Sequence, residues 1–579
     1  MAQQPGAYPR FDRDFFAADQ DFTVIGGGEL GGKALGLASA KRILTDAGLG
    51  SALPDVQLGI PRLTVIGSEV FERFLADNDL WDTALADLPD DRIAHAFVRA
   101  ELPALMVGDL RALIGQIRVP LAVRSSSTLE DALEHPFAGV YATKMVPNNE
   151  SSVDERFRRL AGAMKLVWAS TFFRDAKQYM RSIDRPIEDE RMAVIVQEVI
   201  GERFGDRFYP IVSGVIRTHN YYPSPPAKAE DGLVHLALGL GKSIVDGGLS
   251  WSYSPRYPRH RPPFGSVREL MSNTQTRFWA VNMAPVPYDP VNEAECLVEV
   301  GLDEAEWDDV LRFIASTYDA ASDRLTIGTG IEGPRALTFA RILELNDVPL
   351  NEVVRRVSRA CQEALDAEVE IEFALTLDRR RGLPARFGFL QVRPMMVTRD
   401  PVDVADDELA SEHALVASER VLGNGRDQSL RDVLYVKPDA FEATHTRAIA
   451  AELEKLNREL VGRGDHYLLI GFGRWGSADP WLGIPATWPQ VSGARAIVEA
   501  TLPAMNVDAS QGSHFFHNLI SFRVLYFMVR HEGPHAISWD WLDRQPAASE
   551  TRFLRHVRLA VPLQVRVDGR SGRGVILHD

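Results

Sequence analysis

The sequence predicts an α+β fold, because it contains both strand-like and helix-like patterns. Leu121–Val123 is a short apolar run that ends at a hydroxyl-rich turn, which is typical of a strand. Glu155–Met180 carries apolar residues at helical spacing and predicts a helix. Glu368–Ala374 alternates acidic and apolar side chains, as a strand with one solvated face does.

Length and composition indicate a globular protein with several domains. At 579 residues the chain exceeds what one hydrophobic core organises, so we expect about two to four domains. Apolar residues make up 45% and charged residues 25% of the chain, which is ordinary for a globular protein. The net charge is −16 and no long basic run occurs, so we expect no nucleic-acid partner.

The cysteine content and the N-terminal segment predict a cytoplasmic protein. Cys296 and Cys361 are the only cysteines and have no CxxC spacing, so neither a disulfide framework nor a cysteine zinc site is expected. The N-terminal segment lacks the apolar core of a signal peptide, and no window of about 18 apolar residues occurs. We therefore expect no membrane partner.

The stretch from Leu121 to Lys144 has the composition of a phosphate-binding turn. Arg124 follows a short apolar run and precedes the hydroxyl-rich Ser125–Thr128. A guanidinium group forks onto phosphate oxygens, and hydroxyl and backbone N–H groups supply the remaining donors. The alternative is a solvated Ser/Thr loop with a surface arginine.

The glycine-rich stretch from Phe22 to Leu37 is compatible with three motifs. Gly26–Gly31 satisfies G-x-G-x-x-G, but no second parallel strand ending in an acid about 20 residues on is evident. Gly27–Ala34 approaches a P-loop, but Ala34 lacks the hydroxyl group that would bind Mg²⁺. In the third interpretation the glycines open a helix and Lys33 contacts the phosphates. A strand-to-helix turn with a surface lysine is the alternative.

Two further apolar segments qualify as strands near a ligand. Met192–Ile200 is nearly uninterrupted until Gln197, which either faces water or offers its groups to an adenine edge. Val369–Pro394 predicts a hairpin that brings Glu372, Gln391 and Arg393 to one end of a sheet. A carboxylate and an amide oxygen suit Mg²⁺ shared with nucleotide phosphates. An ordinary hairpin with solvated charges is the alternative.

The last third of the chain predicts a separate unit behind a linker. Pro401–Glu419 is acidic and alanine-rich, as a linker would be. This unit contains the apolar Tyr467–Gly471, and Ser492–Val498 predicts a helix. His514 and His517 are three residues apart with no identifiable carboxylate partner, so a buried or capping role is favoured over a metal pair or a phosphate carrier.

Roughly the first 400 residues resemble the nucleotide-binding part of the phosphoenolpyruvate synthase, pyruvate phosphate dikinase and rifampin phosphotransferase family. The order of the motifs carries this resemblance as much as their content. The matching segments are Gly31–Lys33, Ala122–Ser127 with Glu130–Asp131, Phe137–Gly139, Val196–Val199, Gly239–Gly241, Ile371–Phe373 and Leu390–Pro394.

The resemblance implies ATP and Mg²⁺ as cofactors and a role for each matching residue. Lys33 and Arg124 would be the catalytic residues, and both would contact the phosphates. Glu372 and Gln391 would hold Mg²⁺, and Gln197 would lie near the adenine. The remaining phosphate-site residues implied are Gly139, Thr143 and Arg393.

The resemblance also implies an ATP-grasp-like unit of two lobes, residues 1–215 and 216–400, followed by an additional C-terminal α/β domain of unassigned function, residues 401–579. Three features depart from the family: Lys242 replaces a usual glutamate, the hairpin tip at Arg379–Arg381 is long, and the phosphohistidine and phosphoenolpyruvate-barrel domains are not recognisable after residue 400.

These inferences predict an ATP- and Mg²⁺-dependent phosphotransferase of the dikinase type. In this family ATP phosphorylates a histidine by in-line transfer, with cations holding the charge on the transferring group. Two alternatives remain: an ATP-binding regulatory or scaffolding subunit without chemistry, and a small-molecule kinase. The phosphate acceptor, a partner protein domain or a small molecule, is not identified by the sequence.

Overall fold

The computed structural model describes residues 8–13, 21–130, 139–183, 185–221, 223–260, 266–287, 289, 291, 296–378, 382–395, 397, 402–503, 505–507, 514–569 and 571–578. Phe137, Ala138 and Arg379–Arg381 therefore lie outside the described residues. The chain forms two compact units. The N-terminal unit comprises Met1–Thr218, Leu233–Ser243 and Leu249–Pro394, and the C-terminal unit comprises His219–Gly232, Ile244–Gly248 and Met395–Asp579.

The first sheet of the N-terminal unit has five strands and carries the arginine turn. In spatial order its strands are β1 (Phe22–Ile25), β3 (Leu63–Ile66), β6 (Met192–Glu198), β4 (Leu121–Ser127) and β5 (Thr143–Val146). The long apolar run of β6 is explained by its central position, where residues 192–197 are buried. Only β1 and β3 pair in parallel.

Between β1 and β6 in sequence, the described residues form eight helices. They are α1 (Gly31–Asp46), α2 (Leu49–Ala52), α3 (Ser68–Asp77), α4 (Trp81–Leu85), α5 (Asp90–Arg99), α6 (Ala104–Gln116), α7 (Val153–Ser170) and α8 (Arg174–Ser182). The single helix predicted for Glu155–Met180 is two helices, because Phe173 adopts an extended conformation between them. Trp168 on α7 is fully buried against Phe71 and Phe74 of α3, which anchors this helical layer on the sheet.

The second sheet of the N-terminal unit has six strands and contains the predicted hairpin. In spatial order its strands are β11 (Trp251–Tyr253), β10 (Leu233–Ala237), β9 (Val212–Arg217), β17 (Val369–Asp378), β18 (Gly382–Pro394) and β2 (Val56–Gly59). Helix α14 (Leu350–Leu365) buries Val353, Val354, Val357 and Cys361, whose helical spacing places them on one face. The hairpin prediction is confirmed, with β17 and β18 antiparallel.

Two smaller sheets and several short helices complete the N-terminal unit. One sheet has the order β13 (Leu297–Gly301), β12 (Arg277–Asn282), β8 (Arg207–Tyr209), β7 (Glu202–Phe204). The other has the order β15 (Arg324–Ile327), β14 (Ala315–Asp319), β16 (Arg335–Leu337). The short helices are α9 (Lys242–Val245), which crosses into the C-terminal unit, α10 (Val267–Ser272), α11 (Leu302–Trp307), α12 (Leu311–Ile314) and α13 (Ala340–Leu343).

The C-terminal unit is built on a seven-stranded mixed sheet. In spatial order its strands are β20 (Val421–Leu422), β27 (Leu525–Val529), β26 (Ala494–Ala500), β23 (Tyr467–Phe472), β22 (Asp432–Val436), β29 (Leu554–Arg558) and β28 (Ala547–Glu550). The four strands β27, β26, β23 and β22 run parallel. A four-stranded sheet has the order β19 (Ala414–Ser418), β31 (Arg573–Leu577), β30 (Gln564–Asp568), β21 (Gly425–Asp427), and β24 (Arg474–Trp475) pairs with β25 (Gly483–Ile484). The helices are α15 (Asp406–Leu409), α16 (Thr446–Gly462), α17 (His514–Ser521) and α18 (Trp539–Arg544).

Two predictions for this part of the chain are wrong. Ser492–Val498 does not form a helix: it leads into β26, which lies between two parallel strands, and burial on both faces favours such an apolar run as a strand. Pro401–Glu419 does not behave as a linker, because Val402, Val404 and Leu409 are buried against β31. The side chains of His514 and His517 lie outside the described residues.

Two buried carboxyl groups make stability depend on pH. Burial raises the pKa of Glu190 from 4.5 to about 7, with neighbouring Glu130 adding to the rise, and burial raises the pKa of Glu499 to about 7. Each folded-state pKa exceeds the unfolded value, so the folded protein binds more protons between the two values and loses stability as the pH rises from 4.5 through about 7.

We expect each unit to lose about 2 kcal/mol of unfolding free energy between pH 5.5 and pH 8 through its own carboxyl group. Urea unfolding at the two pH values measures this loss. Glu190→Gln should remove this contribution in the N-terminal unit, and Glu499→Gln should remove it in the C-terminal unit. An unchanged pH dependence in both variants would contradict the assignment.

Candidate functional site

The side chain of one serine hydrogen-bonds the start of helix α1 to strand β4. The Ser126 hydroxyl group accepts a hydrogen bond from the Ala34 backbone N–H (3.0 Å) and donates one to the Leu30 carbonyl oxygen (2.7 Å). Gly31 opens the helix at φ +76°, and a Cβ atom there would lie 1.9 Å from the Ser126 carbonyl oxygen. The glycine-rich turn therefore brings the helix against β4 and places Lys33 beside the arginine turn.

Replacing Gly31 by alanine should destabilise the N-terminal unit by about 3 kcal/mol or more. The positive φ costs about 1–2 kcal/mol for an L-residue, and the clash with backbone adds a similar cost. Gly115→Ala is a matched control, because a Cβ at Gly115 meets no atom within 4 Å. Thermal unfolding of both variants measures the effect, and equal melting temperatures would show that the close approach is not required.

Lys33 is held by a buried carboxylate at the end of β4. Its Nζ donates to Glu130 Oε1 at 2.5 Å and to Ser125 Oγ at 3.3 Å. Glu130 is 2% exposed and also accepts hydrogen bonds from Ser125 Oγ (2.8 Å) and the Ser127 backbone N–H (2.9 Å). Three donors on one buried carboxylate fix its position, so the ammonium group of Lys33 is fixed as well.

Arg124 brings together three of the other predicted site residues. Its Nη2 donates to Gln391 Oε1 at 2.8 Å and lies 3.6 Å from Glu372 Oε2. Its Nη1 donates to the Leu390 carbonyl oxygen at 3.0 Å and more weakly to Gln197 Oε1 at 3.5 Å. The arginine turn of the first sheet and the hairpin of the second thus meet at one guanidinium group.

Strand register explains why these side chains meet. Glu372 lies directly opposite Gln391 in the β17–β18 hairpin, so their side chains share one face. Arg124 lies opposite Ile195 of β6, and Gln197 is two residues further on the same strand and face. Thr143 on β5 lies opposite Arg124 on its other side.

Gln197 has a buried hydrogen-bond donor without a protein acceptor. The side chain is 2% exposed, and among the described residues its Nε2 has no hydrogen-bond partner. An unsatisfied buried amide donor costs about 1–3 kcal/mol, so such a group is expected to meet a ligand or an ordered water.

Arg393 belongs to a buried ion cluster beside the proposed metal ligands. Its Nε donates to Glu370 Oε1 at 2.8 Å, and its Nη2 contacts the same oxygen. Arg217 donates to Glu370 Oε2 at 2.6 Å. The expected solvated face of β17 is therefore wrong at Glu370, which is 3% exposed, because two guanidinium groups compensate its charge.

The structure does not connect Gly139 with this cluster. Gly139 is exposed with φ +72°, directly after the residues that the structure leaves undescribed. The pairs Lys33–Glu130 and Arg393–Glu370, by contrast, were not predicted as pairs. The acidic partner of Lys33 lies 97 residues away in sequence, and Arg217 lies 153 residues before Glu370. A local sequence pattern therefore cannot predict either contact.

The donor set fits a Mg²⁺ ion that shares its ligands with phosphate. The chain offers one carboxylate, Glu372, and one amide oxygen, Gln391, which are hard ligands. Both oxygens lie against the guanidinium group of Arg124, so the pair already attracts a cation. In the described parts of the chain, no group of three or more His, Cys, Asp or Glu side chains could hold a metal alone, so phosphate and water would complete the shell.

Comparison with known proteins places this arrangement in a family. The model of the pyruvate phosphate dikinase AMP/ATP-binding domain matches residues 28–413, which contain all the residues of this candidate site. The chain belongs to this family. The resemblance predicted from the ordered motifs is thereby confirmed, and the mixed helix and strand content agrees with the predicted α+β class.

Curated relatives of this dikinase-type family match shorter stretches. A phosphoenolpyruvate synthase of Aeropyrum pernix is 29% identical over 226 residues, which are 35% of this chain and 25% of the relative. An uncharacterised phosphotransferase of Bacillus subtilis is 25% identical over 198 residues, 33% of this chain and 21% of the relative. A rifampicin phosphotransferase of Streptomyces sviceus is 26% identical over 216 residues, 35% of this chain and 23% of the relative. The matches thus span about a quarter of these relatives' length.

The helices of the described residues do not meet the requirements of a membrane span. In that part of the chain, no helix is both long enough and apolar enough to cross a bilayer.

The family match is consistent with a nucleotide as the ligand of the N-terminal unit.

Proposed function

We propose that this protein is an ATP- and Mg²⁺-dependent phosphotransferase of the dikinase type. The observation that carries the proposal is the meeting of Arg124, Gln391 and Glu372 at one point. Lys33 is held by Ser125, the next residue along β4 after Arg124. Two cations held by neighbouring residues of β4, with a hard-oxygen pair beside one of them, are what a polyphosphate with its metal requires.

Each side chain has a role that follows from its fixed contacts. Lys33 donates to a phosphate oxygen while Glu130 keeps its ammonium group in place. Arg124 turns its planar fork onto the transferring phosphates, where developing charge is greatest. The Nε2 of Gln197, which has no hydrogen-bond partner in the described part of the chain, donates to an acceptor on the adenine edge. Bound Mg²⁺ would neutralise phosphate charge between Glu372 and Gln391.

Arg393 lies beside the proposed metal ligands, in the ion cluster around Glu370. Glu370 and Arg217 hold its guanidinium group, so it contributes a fixed positive field rather than a mobile contact. Gly139 and Thr143 would border the phosphates, and Thr143 has the suitable register beside Arg124.

The proposed architecture is an ATP-grasp-like pair of lobes followed by a C-terminal α/β domain. Residues 1–215 would form the first lobe, residues 216–400 the second, and residues 401–579 the added domain. The five-stranded sheet with Arg124 and the six-stranded sheet with Glu372 support a ligand held between two sheets of the N-terminal unit.

The experiment that tests the proposal follows the label of ATP. Pure protein is incubated with Mg²⁺ and ATP labelled at the β or the γ phosphate, and products are resolved at acidic and alkaline pH. Dikinase chemistry predicts AMP together with an acid-labile, alkali-stable label on the protein. ADP formed only with an added metabolite would instead indicate a small-molecule kinase. Stable ATP binding without any transfer would indicate a regulatory or scaffolding subunit, and no ATP binding would refute all three.

A further inference from the structure

The guanidinium group of Arg124 lies where the proposed metal would bind. Its Nη2 donates to Gln391 Oε1 at 2.8 Å and lies 3.6 Å from Glu372 Oε2, so one nitrogen faces both proposed metal ligands. The side chains of Arg124 and Glu372 are 14% and 18% exposed, so water screens this ion pair only in part. A guanidinium group and a divalent cation cannot share these two oxygens without strong repulsion.

We propose that Arg124 occupies the metal position while the nucleotide is absent, so that the divalent cation enters only together with the nucleotide. This inference rests on the proposed function and adds an order of binding to it. The phosphates of the nucleotide bind the guanidinium group, and Glu372 and Gln391 then bind the metal. Bidentate contacts to phosphate are stronger than the single contacts that Arg124 gives up.

The contrast with Lys33 shows why Arg124 is the group that moves. Lys33 pairs with Glu130, which is 2% exposed and held by two further donors, so its contact persists with or without a ligand. Arg124 instead donates to two uncharged acceptors at 2.8 and 3.0 Å, and its contact with the Glu372 carboxylate is long at 3.6 Å. Uncharged acceptors bind a guanidinium group less strongly than phosphate oxygens do, so the nucleotide can take it.

The net charge of the contacting side chains favours the same order of binding. The side chains in these contacts comprise four cations, Lys33, Arg124, Arg217 and Arg393, and three anions, Glu130, Glu370 and Glu372. Four positive and three negative charges leave a net charge of +1 before any ligand binds. A divalent cation alone would raise it to +3, whereas the Mg²⁺–ATP complex, with a net charge of about −2, would reduce it to about −1.

The test is the affinity for Mn²⁺, measured by electron paramagnetic resonance with and without a non-hydrolysable ATP analogue. For the unmodified protein we expect weak Mn²⁺ binding alone and binding at least about tenfold tighter with the analogue. Arg124→Met should bind Mn²⁺ without nucleotide at least about tenfold more tightly than the unmodified protein. Adding Glu372→Gln to the Arg124→Met variant should remove this gain in Mn²⁺ affinity. Arg111→Met, which changes an exposed arginine paired with Asp154, should behave as the unmodified protein.

Tight Mn²⁺ binding by the unmodified protein without nucleotide would overturn the proposal, and this result needs no variant to fold. No gain in a folded Arg124→Met protein would overturn it as well. Binding of the analogue is measured in the same samples by equilibrium dialysis. Analogue binding with unaltered Mn²⁺ affinity would refute the order of binding alone, whereas no analogue binding would refute the proposed function and this inference together.

Discussion

Arg124→Ala should lower the ATP turnover number by about three orders of magnitude or more while the protein stays folded. Arginines that stabilise a transferring phosphoryl group are worth about 10³–10⁵ in rate. The side chain is partly exposed and its contacts are polar, so its loss leaves no apolar cavity. The measurement is ATP consumption, with the melting temperature of the same preparation as the check on folding.

Two further variants separate charge from geometry at this position. Arg124→Lys keeps the charge but lacks the planar fork, so we expect it to recover only a small part of the rate. Arg111→Ala removes an exposed arginine from an ion pair with Asp154 and should keep the full rate. Unchanged ATP consumption in a folded Arg124→Ala protein would remove Arg124 from the phosphate site.

Lys33→Met should lose both ATP turnover and stability. The substitution removes a phosphate-binding cation, and it leaves Glu130 buried at 2% exposure without its ion-pair partner. Breaking a buried pair from one side costs about 3–5 kcal/mol, because the remaining charge is uncompensated. Denaturant unfolding and ATP consumption of the same variant measure the two losses.

The double variant Lys33→Met/Glu130→Gln distinguishes the two roles of Lys33. Removing the second charge should restore most of the lost stability, because a neutral amide still accepts the hydrogen bonds of Ser125 and Ser127. Turnover should remain absent, because no cation is restored. A double variant as unstable as the single one would show that the ion pair is not what Glu130 requires, and turnover in either variant would show that Lys33 is dispensable.

The residues around Arg124 could be predicted because each lies in a local pattern. Arg124 precedes a run of hydroxyl residues, and Glu372 and Gln391 lie on two strands whose alternation predicts a hairpin. The structure then shows what local patterns do not contain, namely that the hairpin and the arginine turn lie within hydrogen-bond distance, 267 residues apart in sequence.

Two predictions from the sequence are wrong because the burial of a residue depends on partners that are distant in sequence. The alternating acids of β17 predicted a solvated face, but Glu370 is buried because Arg217 and Arg393 neutralise it from neighbouring strands. Ser492–Val498 predicted a helix, but it leads into β26, a strand enclosed by two parallel neighbours. Short apolar runs are ambiguous between helix and strand until their neighbours are known.

The start of α1 shows a third limit of sequence patterns. The glycine-rich stretch is compatible with three motifs, one of which opens a helix at these glycines, and the structure begins α1 at Gly31. Glycines at a helix start are unfavourable by propensity, but Gly31 is required there by its positive φ and by its contact with Ser126. Tertiary packing against β4 thus decides where the helix begins, and with it the position of Lys33.

Equilibrium dialysis of labelled ATP with Mg²⁺ tests most directly whether the residues around Arg124 bind ATP. The unmodified protein and Arg111→Ala should bind ATP equally, and Arg124→Ala should bind it at least about a hundredfold more weakly, a loss of roughly 3 kcal/mol. Equal ATP binding by all three proteins, or binding by none of them, would contradict the claim.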